Sequence, residues 1–414
     1  MANGTTTMDP AALRAAINDD HAYLTALRRD LHRIPELGYQ EQLTSERIRQ
    51  ELDAIGVAYV GYLAEGTGVL AHIPATADGG STVALRADMD ALPLDERTGV
   101  EHSSTHEGRM HACGHDGHTA VLIGAARAIN SMAHRPNAVT LVFQPAEEGG
   151  GGGKKMCEDG ALDGSKLGDP VDRIFGLHGW PDLELGRVAS KPGPLLAATD
   201  QFKVTVKGKQ AHAAMPHMGI DPVVASAHCV TALQSIVSRS VDPLDSMVCT
   251  VAAVHAGGTA HNVIPDEAKF HGTIRTLTGV VREQAKERFH EVVHYTAQAN
   301  GCHAEIEYIE GYPCTDNDPA LTGRWFEIAA DVFGAERVGT IERPIMGGED
   351  FSYYGLHVPA CFFMLGLKPG SMASYPKLHA PDFDFNDDAI PMGVEAMCRL
   401  AMASARGAYP VVDG

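Results

Sequence analysis

Basic residues are in short supply. The chain has 33 Lys and Arg against 53 Asp and Glu, a formal net charge of −20 over 414 residues. Nucleic-acid binding leaves a basic surface as its footprint, and anionic membranes attract clusters of Lys and Arg, so the balance argues against both partners. Long apolar runs are missing too: no stretch approaches the ~20 residues of a membrane-spanning helix. The opening, MANGTTTMDPAALRAAINDD, has no basic start and no apolar core, which is not the pattern of a secretory signal. The eight cysteines (113, 157, 229, 249, 302, 314, 361, 398) form no CxxC pair. Thiols scattered in this way fit a reducing cytoplasm better than a disulfide framework. Aromatic residues are 6% of the chain and form no pocket signature, so composition does not disclose which group a pocket takes. Internal repeats are absent, and the one low-complexity run is the five glycines at 149–153.

The remaining composition, 44% hydrophobic and 21% charged, is that of an ordinary globular protein. At ~100–200 residues per domain the length points to two or three domains. Glycine is plentiful at 44, which implies many turns and close backbone approaches. Histidine, at 21 residues, is the commonest metal ligand and the side chain most easily tuned near neutral pH. The question is whether some of these histidines sit in a constellation.

Residues 11–55 carry apolar residues at helical spacing: Leu13, Leu24, Leu27, Leu31, then Ile48, Leu52 and Ile55. Val83–Leu85, Val139–Phe143 and Ile174–Leu177 are short apolar runs that read as strands, with a helix over 119–130 between the first two. Alternating strands and helices predict an α/β class with a mixed, mostly parallel sheet flanked by helices. Then the pattern changes. Strands at 201–206, 247–254, 267–275 and 303–309 and helices at 221–239 and 281–299 run in the order β-α-β-β-α-β, the split βαβ (ferredoxin-like) arrangement. The expectation is an α+β domain, 199–311, inserted into a discontinuous first domain, 1–198 and 312–414.

The densest chemical cluster is His111-Ala112-Cys113-Gly114-His115-Asp116-Gly117-His118, placed in a turn before the helix. Zinc and related divalent ions take thiolate, imidazole and carboxylate ligands, and Cys113 and His115 can reach one ion. Directly after a strand comes Gln144-Pro145-Ala146-Glu147-Glu148-Gly149. In extended chain, adjacent side chains point to opposite sides, so one Glu can bind metal while the other faces a water. Metal-assisted hydrolysis needs an open coordination position and a carboxylate to take the water's proton. Asp88 and Asp90, His178, His212 and His379 stand at strand ends or turns, where α/β sheets form ligand sites. The glycine run continues into Lys154, Lys155 and Met156, which lacks the Gly-Lys-Ser/Thr of a phosphate loop and excludes that reading.

MHACGHDGHTA, QPAEEGGGGG, GLHG, KGKQAHAAMPHMGIDP, GGTAHNVIPDEA, GTIRT, MGGEDFSYY and LHAPDFDFND occur in this order. Together they resemble the aminoacylase–hippurate hydrolase branch of the two-metal amidohydrolase and carboxypeptidase superfamily. Bacterial N-acyl-amino-acid amidohydrolases and plant auxin-conjugate hydrolases belong to that branch. The resemblance runs from LHRIPELGYQE (31–41) to the C-terminus. It implies two divalent metal ions held by Cys113, His115, Glu148, His178 and His379. A Cys ligand favours Zn, and the carboxylates and open positions admit Mn, Co or Ni. By the same resemblance Glu147 is the general base and Asp90 orients a ligating imidazole. His212, from the partner subunit, stabilises the oxyanion. Asn262 and Arg275 bind the substrate's carboxylate or carbonyl, and Gly347 and Gly348 bring backbone to the substrate. His111 and Asp116 are not expected to be ligands. The inserted domain is implied to serve as lid and dimerisation domain, giving a homodimer or higher homo-oligomer. The implied reaction splits a small N-acyl-L-amino acid, hippurate-like or N-acetylated, into a carboxylic acid and a free amino acid. A metallo-dipeptidase or carboxypeptidase would use the same machinery, and only the acyl pocket separates the two. A non-catalytic metal or amino-acid binding protein has no need of Glu147, and a redox role for Cys113 lacks a resolving Cys nearby.

Overall fold

The computed structural model describes residues 9–77 and 80–403, so the first eight residues of the opening stretch lie outside the described part. Among the described residues no helix is long and apolar enough to cross a membrane. The N-terminal periodicity resolves into two helices, Pro10–Arg33 and Gln42–Ala54. Asp9 caps the first by accepting the Ala11 N–H, with Pro10 at its first position, where the missing N–H would have had no partner anyway. Pro35 ends it, because the residue before a proline is pushed out of the α region; Ile34 sits at φ −121°, ψ 49°. Leu13, Ile17, Leu24, Leu27 and Leu31 form the buried stripe.

Contacts divide the chain into two units. The first holds the described residues up to Gly193, Asp316–Glu342 and those from Asp350 on; the second holds Pro194–Thr315 and Arg343–Glu349. The first contains an eight-stranded sheet in the order Ala58–Leu63, Gly68–Ile73, Ala138–Gln144, Thr82–Asp88, Arg173–Glu184, Ala360–Lys368, Val188–Ser190, Val338–Thr340. The four central strands, from Ala138–Gln144 to Ala360–Lys368, are parallel neighbours, and antiparallel pairs close the Ala58 end. Every residue of Thr82–Asp88 and of Ala138–Gln144 is buried, as expected where helices cover both faces of a parallel sheet. This is why both strands were legible as apolar runs. The helices Pro10–Arg33, His115–Ser131 and Ile390–Met402 pack on one another and share one core with the strands. Gly68–Ile73, almost wholly buried, is an apolar run missing from the expected strands. Ala58–Leu63, Val188–Ser190 and Val338–Thr340 carry no sequence signal of that kind. Two of them are three residues long, and Ala58–Leu63 buries only Leu63.

In the second unit four antiparallel strands run in the order Met247–Ala256, Glu267–Thr276, Ala198–Lys207, His303–Ile309. Phe202, Val204 and Val206 point into its core, where the helices Pro222–Ser235 and Gly279–Ala299 add Ala225, Cys229, Leu233, Val281, Phe289 and Val293. Lys203 and Lys207 pair with Glu307 and Glu305 at 3.2 and 2.6 Å on exposed positions. Asp221 caps its helix, accepting from Val223 and Val224, but the helix expected to 239 gives way to a π turn at Ile236–Ser240. A short ladder, Ala211–His212 with Val263–Ile264, is added to the expected elements. Arg343–Glu349, expected with the first domain, joins this unit. Its backbone explains why: Ala197 N–H donates to Ile345 O and Gly347 O at 3.0 and 2.9 Å.

Three local readings need correction. The helix after the His-rich motif begins at His115, not at 119, so His115, Asp116 and His118 lie in its first turn rather than in a loop. The strand after Ile174 runs on to Glu184. His178 therefore stands mid-strand, opposite Met364, because Trp180 and Leu183 continue the extended chain past the two glycines that masked it. Finally, Glu147 and Glu148 are not in extended chain: Ala146 adopts φ +54° and a turn follows.

Candidate metal centre and active site

Cys113 leads into the site from the turn before the helix His115–Ser131. Gly114 makes that turn possible with φ +85°, a left-handed conformation that costs glycine nothing. Gly117 lets the helix lie close beneath Phe385; a Cβ there would stand 2.4 Å from Phe385 Cγ. The motif's glycines are thus required by packing at the point where its ligand-type residues emerge.

Six side chains from distant segments converge. Cys113, His115 and His178 bring one potential ligand atom each within 4.8 Å of one another, as do Cys113, Glu148 and His379, and His115, Glu147 and Glu148. Cys113 Sγ is 3.3 Å from His178 Nε2, and His379 Nε2 is 3.1 Å from Glu148 Oε1. Three of these sets share members, so the cluster offers overlapping ligand sets rather than one.

The donor chemistry fits a metal. A ligating histidine usually donates its other ring N–H to a carboxylate or carbonyl, which fixes the tautomer. His115 Nδ1 lies 2.9 Å from Asp90 O and 3.1 Å from Asp90 Oδ1. His178 Nδ1 lies 2.8 Å from Gly179 O. Both rings therefore present Nε2 to the cluster, and His115 Nε2 is buried without a hydrogen-bond partner. Asp90 also accepts the Glu148 N–H at 2.9 Å, so one carboxylate orients two of the converging residues. The field matches. Burial works against a charged His115, but Asp88 and Asp90 outweigh it and raise the ring to about 10. Burial, then Glu148 and Glu147, push the Cys113 thiol well above its ordinary range. A place that favours positive charge so strongly suits a cation, and a coordinated thiol is deprotonated outright.

A further triad, Asp88, His115 and His118, also lies within ligand distance, but its hydrogen bonds close it. His118 Nε2 accepts the Gly179 N–H at 2.8 Å, so Nδ1 carries the proton it shares with Asp88 Oδ1 at 2.6 Å. His118 has no lone pair left and acts as a brace behind His178. Asp88 in turn accepts from Arg86 Nη1 at 2.7 Å, and Arg86 Nη2 donates to Asp350 Oδ1 at 2.9 Å. The Asp350 N–H points at Glu147 Oε1, 3.4 Å away. A buried chain thus connects the histidine brace to Glu147. His118, Arg86 and Asp350 were not singled out from sequence; the i,i+3 spacing of His115 and His118 on one helix was the available signal. Asp116 faces elsewhere, toward Arg28 and His32 at 2.7 and 2.8 Å. The glycine run is a packing feature: a Cβ at Gly152 would stand 1.6 Å from Pro145 O.

The structure does not place the remaining expected residues in this cluster; they belong to the second unit. His212 pairs with Val263 in the short ladder, beside Asn262, whose carbonyl accepts the Ala213 N–H at 3.0 Å. Arg275 sits on the strand Glu267–Thr276 opposite Thr199 and Val248. Gly348 packs against Thr199, where a Cβ would come within 2.2 Å of Thr199 Cγ2.

Residues 84–403 match the profile of Peptidase family M20/M25/M40, and the chain belongs to this family. It is 41% identical over 398 residues to the Arabidopsis thaliana protein named IAA-amino acid hydrolase ILR1-like 4, covering 93% of this chain and 86% of that one. It is 41% identical over 369 residues to the N-acetyl-L-cysteine deacetylase of Bacillus subtilis (strain 168), covering 89% and 84%. Among solved structures it resembles the Bacillus subtilis YXEP protein, described as a dinuclear metal binding peptidase from the M20 family. That match has a TM-score of 0.79 and 34% identity, covering 93% of this chain and 98% of the other.

Proposed function

We propose that this protein is a metal-dependent amidohydrolase that cleaves N-acyl-L-amino acids to a carboxylic acid and a free amino acid. The observation that carries the reading is the buried Cys113/His115/His178 cluster with Glu148 and His379 on its open side and Glu147 beside it. The names of the relatives, an IAA-amino acid hydrolase and two N-acetylcysteine deacetylases, support an N-acyl amino acid as substrate. Two divalent cations, Zn or Mn with Co or Ni as substitutes, held by Cys113, His115, Glu148, His178 and His379, would supply the Lewis acidity that polarises the amide and acidifies the attacking water. Glu147 takes the proton from that water and passes it to the leaving nitrogen. Asp90 keeps His115 in the right tautomer and tethers the backbone of Glu148. His212 serves the active site of the other subunit in the oligomer, donating there to the oxyanion of the tetrahedral intermediate. Arg275 and Asn262 bind the substrate's carboxylate or carbonyl, a planar guanidinium fork being suited to a carboxylate, and the backbone at Gly347 and Gly348 approaches the substrate. The second unit, 199–311 as read from sequence, serves as lid and dimerisation domain in a homodimer or higher homo-oligomer. Eight cysteines scattered along the chain without a CxxC pair support a cytoplasmic setting.

The test is free amino acid released from hippurate, N-acetyl-Met, N-acetyl-Phe, indole-acetyl-Ala and Gly-Leu, after chelation and after reloading with Zn or Mn. Metal-dependent release from the acyl substrates and not from Gly-Leu is expected. Release mainly from Gly-Leu would instead make the protein a dipeptidase. Glu147→Gln should lower kcat ~10²–10⁴-fold, the usual worth of a general acid–base group, with metal still bound.

A further inference from the structure

The motif Leu31–Glu41 supplies no metal ligand and no proton, yet its backbone and side chains close around the two loops that do. Glu36 accepts the N–H groups of Leu43 and Thr44 at 3.1 and 2.9 Å, and its carbonyl accepts the Ala91 N–H at 2.8 Å, one residue past Asp90. Gly38 passes so close to Ala146 that a Cβ would stand 3.0 Å from Ala146 Cβ and 3.7 Å from Asp90 Oδ2. Tyr39 donates its hydroxyl to Gly150 O at 2.8 Å. Glu41 is fully buried, and its Oε1 accepts the Ala146 N–H at 2.9 Å.

Ala146 is the informative residue. It is fully buried and sits at φ +54°, a left-handed conformation unfavourable for any residue with a Cβ. It comes directly before Glu147 and Glu148. Such strain persists only where the surroundings over-determine it, and a buried N–H left without an acceptor would add a second penalty. Glu41 supplies that acceptor, while Gly38 leaves the space into which Ala146 turns.

We propose that Glu41 is a positioning residue for the catalytic carboxylates: by accepting the Ala146 N–H it holds the left-handed turn that aims Glu147 and Glu148 into the cluster. This deepens the amidohydrolase reading and rests on Glu147 being the base there. The accepting oxygen does the positioning, not the charge. Loss of the acceptor lets the turn relax, and both the proton transfer and the ligand provided by Glu148 suffer.

The experiment compares Glu41→Ala, Glu41→Gln, Glu41→Asp and the double variant Glu41→Ala/Ala146→Gly in the full-length protein. The readouts are kcat and KM on the best N-acyl substrate, Zn affinity by calorimetry, and thermal melting. Glu41→Ala should lose ~10–100-fold in kcat and in Zn affinity, the range usual for residues that support metal ligands, with KM little moved. Glu41→Gln keeps an acceptor for the Ala146 N–H and should retain clearly more kcat than Glu41→Ala, although its amide NH2 falls where the buried Glu41 Oε2 has no partner. Ala146→Gly should recover part of the loss in the Glu41→Ala background, since glycine adopts positive φ without strain. Glu41→Asp keeps the charge but falls short of the Ala146 N–H, and must show the loss even if Glu41→Ala does not fold. Wild-type kcat in Glu41→Ala or Glu41→Asp, equal damage from Glu41→Gln, or a loss explained wholly by the unfolded fraction would each overturn the proposal. Glu147→Gln is the separate control: if it stays active, the base assignment fails; if it is dead while Glu41→Ala is active, only the positioning role fails.

Discussion

Replacing Arg86 by methionine removes the hub of the buried chain behind the site while keeping a side chain of similar reach. Arg86 is fully buried and donates to Asp88 at 2.7 Å, to Asp350 at 2.9 Å and to Gln144 at 2.9 Å. Methionine offers none of these donors, so the Asp88 and Asp350 carboxylates both lose its positive charge. Removing one partner of a buried ion pair costs ~3–5 kcal/mol. That is a large share of the ~5–15 kcal/mol that holds a typical protein folded. The first unit exceeds ~250 residues, for which Tm falls by a little under ~2 °C per kcal/mol, so its melting should drop by roughly 5–9 °C. The assay is calorimetric and circular-dichroism melting of chelated protein, so that metal binding does not mask the loss. Arg86→Met/Asp350→Asn removes one stranded charge and should recover part of the shift. A single variant melting within about 2 °C of wild type would refute the argument, since surface-like substitutions are the ones that stay within ~0.5 kcal/mol.

Further expectations concern packing and pH. Gly117→Val places side-chain atoms where Phe385 stands, 2.4 Å from the built Cβ. Overpacking of ~1–3 kcal/mol should lower Tm, and adding Phe385→Leu should restore most of it; no recovery in the double variant would place the cost elsewhere. His32 donates toward Asp116 and Glu96, 2.8 and 3.4 Å away. Burial lowers its basicity, but Asp116 and Glu96 outweigh burial and raise the ring from 6.5 to about 9. A raised folded pKa stabilises fully below the unfolded value and is lost as pH climbs through the folded one. Melting temperature should therefore decline between pH 7 and 10, and His32→Gln should flatten that decline; an equally steep decline in the variant would remove His32 as its cause.

How much of this was legible in the sequence depends on the range of each interaction. Cys113, His115, Glu147 and Glu148 announce themselves because they stand close together in unusual local combinations. The central strands do so because burial on both faces demands unbroken apolar runs. The local geometry was less accessible: the start of the helix at His115 hinges on the left-handed Gly114, and the turn at Ala146 breaks the extended chain that the preceding strand suggests. The supporting chain was not legible at all. Arg86 meets Asp350 264 positions away, and Glu41 meets Ala146 105 positions away; no spacing rule connects such pairs. The edge strand Ala58–Leu63 was missed for the opposite reason, since a mostly solvated strand needs no apolar run.

In the proposed function, two cations in the Cys113/His115/Glu148/His178/His379 cluster make this chain an N-acyl-amino-acid amidohydrolase. The most direct test titrates chelated protein with Zn or Mn, following bound metal by calorimetry and amino acid released from hippurate and N-acetyl-Met in the same samples. Two ions should bind per chain, with release rising as they bind. In Cys113→Ser/His178→Ala, binding should be weakened and release lost with it. Hydrolysis that persists in fully chelated protein, or that is unchanged when the cluster is removed, would contradict it.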